Sequence, residues 1–82
     1  MDTEQRAERA RALLNDDLWQ DAIAEIRERQ MQAFANSGAD DTAAREQAHQ
    51  MLMAVNQVEI EIRQAIEDHA ILQRKVRKRG ND

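Results

Sequence analysis

The chain has no cysteine, no proline and no tyrosine in 82 residues, and only two glycines and two aromatic side chains, Trp19 and Phe34. Without cysteine there can be no disulfide and no thiolate metal site. Without proline, and with glycine confined to Gly38 and Gly80, most of the chain carries nothing that would interrupt a helix. Fourteen of the hydrophobic residues are Ala, so a core built from this sequence is thin. Chains of this size rarely draw more than about 3–5 kcal/mol from one core and usually add a covalent, metal or subunit contribution. With disulfides excluded, that contribution is expected from oligomerisation or from docking onto a larger protein assembly.

Other absences bound the function. No run approaches the ~20 apolar residues of a membrane span, and Met1-Asp2-Thr3-Glu4-Gln5 is polar where a secretory signal would be apolar. The expectation is no membrane partner and residence in the cytoplasm. There is one Ser, in a loop, one Thr at each of two helix starts, and no glycine-rich phosphate loop. No catalytic set can be assembled from these, so the reading is a noncatalytic protein with no cofactor and no small-molecule substrate.

What is present is helix-forming sequence in heptads. Ala48, Met51, Val55, Val58, Ile62, Ala65, His69, Leu72 and Val76 follow one another at alternating spacings of three and four. This is the a/d seam of one long helix, predicted over about 42–78, and it calls for a partner helix along its length. Ahead of it, Thr3 is a candidate cap for a first helix over about 3–14, with Ala7, Ala10, Leu13 and Leu14 as its apolar stripe. The stripe loses phase at Asn15-Asp16-Asp17, where Asp16 is a good cap for a second helix over about 17–36. That helix presents Trp19, Ile23, Ile26, Gln30 and Ala33 on one face and turns Glu25, Arg27, Glu28 and Arg29 to water. The loop Asn36-Ser37-Gly38-Ala39-Asp40-Asp41 offers Gly38 for a positive φ and an Asp to cap the long helix.

A connection this short makes the flanking helices antiparallel neighbours. The predicted fold is a single all-α domain over 1–82: an antiparallel hairpin of a broken N-terminal helix and one long helix, completed by oligomerisation or docking. Met53 and Ile60 at f positions and Ile71 at c point away from the seam, giving exposed apolar contacts for further helices.

The residues Arg11-Ala12-Leu13-Leu14-Asn15-Asp16-Asp17-Leu18 and Asp40-Asp41-Thr42-Ala43-Ala44-Arg45-Glu46, followed by an apolar helix ending near Ile66-Glu67-Asp68, resemble a group of short helical accessory proteins of tailed bacteriophages and prophages. The resemblance implies a context, not an activity: a component of a phage particle, its assembly or its DNA packaging, placed in the bacterial host cytoplasm or in the virion. The chain departs from that group in its basic C-terminus.

Charge is divided unevenly. Residues 1–73 carry 7 basic and 15 acidic side chains, and residues 74–82 carry 5 basic and 1 acidic. Arg74, Lys75, Arg77, Lys78 and Arg79 are candidates to meet nucleic-acid phosphates or an acidic protein surface, although no aromatic side chain is interleaved for base stacking. Their bland reading is that cations complement the negative end of the helix. A small-terminase-like DNA-packaging protein is the corresponding alternative function, and a phage-encoded inhibitor laying its helix into a host groove is a second.

The remaining candidates each have a structural counterpart. His69 at an a position sets register, or serves as a pH-sensitive contact with Glu67 or Asp68 of a neighbour. Glu46 and His49 have the spacing of a di-iron helix motif, but a single copy provides no metal site. Trp19 is an anchor for a partner or a core residue against Val58, Glu59 or Ile62. Met31, Met51 and Met53 gather near the loop as an adaptable surface or as gap fillers.

Overall fold

The computed structural model describes residues 1–80 and consists of three helices, α1 (Thr3–Leu14), α2 (Asp17–Asn36) and α3 (Thr42–Gly80), with no strand among the described residues. The start of α1 is a capping box: the Gln5 N–H donates to Asp2 Oδ1 (2.8 Å) and the Asp2 N–H donates to Gln5 Oε1 (3.3 Å). Asp2, not Thr3, is therefore the cap. Its carboxylate also carries the charge that the positive helix end favours.

Two residues separate α1 from α2. The Asp16 carboxylate accepts from the Trp19 N–H at 2.8 Å, opening α2, while the Gln20 side chain reaches back to donate to the Leu14 carbonyl at 2.8 Å. One side of the break is thus closed by the other, and neither helix end is left without partners.

The loop after α2 is held by side chains. Ser37 Oγ donates to the Phe34 carbonyl (2.6 Å), the Arg45 guanidinium donates to the Ala39 carbonyl (3.1 Å), and Asp41 Oδ1 accepts from the Ala44 N–H (3.1 Å). Gly38 does not take a positive φ, contrary to the sequence expectation. The loop is closed by a turn in which the Asp41 N–H donates to the Gly38 carbonyl (3.0 Å), so it needs no left-handed residue.

Both α1 and α2 pack on α3 and touch each other only slightly. The fully covered side chains are Ala7 and Ala10 on α1 and Ala48, Val55 and Ala65 on α3, with none on α2. Small side chains let the backbones of α1 and α3 approach closely, so their contact rests on short-range dispersion more than on buried bulk. The molecule is elongated, 63 × 25 × 18 Å, with a radius of gyration of 18.3 Å. A compact chain of this length would have about 12 Å.

On α3 the covered line runs through Ala48, Leu52, Val55, Glu59, Ile62, Ala65, Ile66 and His69, all buried or half-buried. Of the predicted seam, Ala48, Val55, Ile62, Ala65 and His69 lie on this line. Met51 and Val58 sit beside it, 44% and 47% exposed, and Leu72 and Val76 lie beyond it at 46% and 62%. Arg27, expected in water, is half-buried because the carboxylate of Glu59 occupies the same face and draws the guanidinium inward.

Candidate interaction surfaces

Four surfaces arise from this arrangement. The first is the flank of α3 next to the covered line, where Met51 and Val58 stand one heptad apart. An apolar arc on a helix spans more than one line of side chains, and the two short helices cover only part of it.

The opposite flank holds Met53 (59% exposed), Ile60 (53%) and Ile71 (37%), as the heptad positions imply. These three are separated by polar residues and form an interrupted row.

The third surface is a groove at the loop end. Met31, Phe34 and Ala35 of α2 face His49 and Leu52 of α3 across a space of about 400 Å³. A second hollow beside Phe34 is lined by Thr42, Arg45, Glu46 and His49. Phe34, two residues before the end of α2, is half exposed and lines both. Heptad logic places this residue on the flank of its helix and gives no indication that it would form the wall of a groove. Glu46 and His49 stand in the same hollow, and no group of three potential metal ligands forms among the described residues.

The fourth surface is the end of α3. Every described residue from Ile71 onward is exposed, and the helix continues to Gly80, two residues past the expected end. Arg74 pairs with Glu67 at 3.1 Å, whereas Lys75, Arg77, Lys78 and Arg79 form no ion pair among the described residues. The predicted basic segment also includes residues 81 and 82, which lie outside the described residues.

Two polar groups sit within the packed line. Glu59, with its side chain 17% exposed, meets Arg27 across the α2–α3 contact and Arg63 at 3.7 Å on its own helix, and Arg27 also donates to Asn56 Oδ1 at 2.9 Å. The sequence shows Glu59 seven residues from both Leu52 and Ile66, a carboxylate on an otherwise apolar line, but nothing in its periodicity points to Arg27 as the partner. His69 is half-buried, and its Nδ1 has no hydrogen-bond partner among the described residues. Trp19 is half-buried beside Ile23, Arg27, Glu59 and Arg63, so it belongs to the α2–α3 contact.

No helix among the described residues is long and apolar enough to cross a membrane. No protein-family model, curated protein or solved structure matches the chain.

Proposed function

We propose that this is a noncatalytic helical assembly protein whose core is completed by further helices, in the setting of a tailed-phage accessory or structural component. One observation carries the reading. The covered core is four alanines and one valine, with no large side chain fully buried, while Leu18, Met31, Phe34, Met53, Ile60 and Val76 are each at least half exposed. Fully burying a side chain of this class contributes about 1.5–3 kcal/mol, so these six side chains hold apolar stabilisation that the single chain leaves largely unused.

Within each copy, α1 and α2 form a broken hairpin antiparallel to α3. The pairing of Arg27 with Asn56 and Glu59, together with the groove shared by Phe34 and His49, supports that direction: contacts move back along α2 as they move forward along α3. The phage setting, in the host cytoplasm or in the particle, rests on the resemblance of the Arg11–Leu18 and Asp40–Glu46 segments. Sedimentation equilibrium of the full chain tests the assembly reading. Self-association is expected, weakened by Met51→Lys with Val58→Lys, and a monomer at every concentration up to about 100 μM, or roughly −5 kcal/mol of association, removes it.

A second reading, contact with nucleic-acid phosphates, is favoured by Lys75, Arg77, Lys78 and Arg79 at the exposed end of α3, which form no ion pair among the described residues. It predicts DNA affinity that falls steeply with salt and is lost on deletion of residues 74–82. Salt-independent binding, or binding unchanged by the deletion, counts against it.

A further inference from the structure

We infer that two copies of the chain stack antiparallel through one flank of α3, as a two-fold dimer centred near Glu61 and Ile62. The inference rests on the assembly reading above and specifies the partner, the face and the register.

The face is the flank of α3 beside the covered line. Met51, Val58, Ala65 and Leu72 recur every seven residues, and at about 100° per residue they lie within roughly 60° of one another. Met51, Val58 and Leu72 are 44%, 47% and 46% exposed, whereas Ala65 is buried beside α1.

A hole and a knob stand at matching positions on this flank. An apolar hollow of about 230 Å³ lies between α1 and α3, with Ala10 and Leu13 on one side and Ile62 and Ala65 on the other. A two-fold axis between Glu61 and Ile62 that sets Met51 against Leu72 of the other copy also sets Val58 at Ala65. The valine of each copy then enters the hollow of the other, as a knob enters a hole between packed helices.

The charges around the hollow are complementary to themselves. Arg6, Arg9 and Glu61 also line it, and none of the three forms an ion pair among the described residues. Close to the axis, Glu61 of each copy comes beside the arginines of the other. A patch that carries both signs in this way is suited to an interface with a second copy of itself.

The extent of the face agrees with a stable pair. Met51 and Leu72 are roughly 30 Å apart along α3, and the molecule is 25 Å wide. The resulting area of about 750 Å² per copy is close to the ~800 Å² per partner of a standard interface.

The same features decide the direction. Parallel stacking would set Val58 against Val58, leave the two hollows facing each other, and bring the five cations of residues 74–79 beside the same five of the other copy. Antiparallel stacking fills both hollows and sends the basic ends to opposite ends of the dimer, with Arg79 beside Ala44. Every contact is made twice on one face, so the assembly closes at two copies.

The chain has no cysteine, so single cysteine variants of the full chain report the pairing. Met51→Cys and Leu72→Cys change exposed positions, and circular dichroism confirms that each variant remains helical. Mixed in equal amounts under mild oxidation, they are expected to give a disulfide-linked heterodimer in at least ten-fold excess over either homodimer, read by intact mass. Position 51 of one copy meets position 72 of the other, whereas the two copies of either position lie roughly 30 Å apart, beyond the reach of a disulfide. Homodimers in yield comparable to the heterodimer overturn the inference. So does an absence of cross-linking while the parent chain sediments as an oligomer, which leaves the assembly reading standing. A monomeric parent chain overturns both readings.

Discussion

The Arg27 guanidinium lies against the Glu59 carboxylate in the middle of the α2–α3 contact, with the two side chains 37% and 17% exposed. Partial burial reduces the solvent screening that weakens a surface pair, while the desolvation cost that offsets a fully buried pair is only partly incurred. Arg27→Met leaves the carboxylate with Arg63 at 3.7 Å as its remaining ion-pair partner. The expected cost is about 1–2 kcal/mol, a fall of roughly 5–10 °C in the thermal midpoint. Adding Glu59→Leu should restore most of it, because the pair is then replaced by apolar packing. A double-mutant cycle followed by circular dichroism reads both numbers.

The close approach of α1 to α3 gives a second expectation. Ala7 is 0% exposed in the α1–α3 contact, whereas Ala65 borders a hollow with Ala10 and Ile62, so Ala7 is the position where a larger side chain must displace its neighbours. Ala7→Leu should destabilise by about 1–3 kcal/mol through overpacking, with the damage concentrated in α1. Amide exchange should rise in residues 3–14 and remain near the parent rate in α2. Uniform protection across the chain would show that α1 does not depend on this contact.

His69 gives an expectation of opposite sign. Its half-buried ring has an Nδ1 without a partner in the covered line. His69→Leu removes a polar atom that gains nothing from its position and should raise the thermal midpoint by several degrees, on the order of 1 kcal/mol. A fall in the midpoint would mean that the imidazole holds an interaction formed only in the assembly.

Much of the fold is legible in the sequence, and the part that is not has a physical reason. Asp16, the dephased stripe around it and the polar loop before Thr42 locate the helix boundaries, because caps and breaks are local chemistry. The cap of α1 is missed by one residue, since Asp2 and Thr3 are both good cap residues and only the reciprocal Gln5 contact decides between them. The line that meets α1 and α2 is harder to read. Ranking positions by apolarity selects Met51 and Val58, whereas the covered line takes Leu52 and Glu59. A carboxylate becomes acceptable there only through Arg27, a residue 32 positions away, and a periodic pattern carries no information about that pairing. The loop-end groove is less legible still. It depends on where α2 stops relative to Phe34 and on which side of α3 His49 and Leu52 project, both set by the packing of the two helices.

The central claim is that one copy of this chain leaves its core incomplete and that further copies complete it. The most direct measurement is the thermal midpoint of the full-length protein by circular dichroism as total concentration is raised a hundred-fold from about 1 μM. Assembly linked to folding predicts a midpoint that climbs steadily with concentration, since mass action adds about 2.7 kcal/mol when a partner reaches a hundred times its dissociation constant. A midpoint that stays constant across the whole range, in a sample that sediments as a single chain, would contradict the claim.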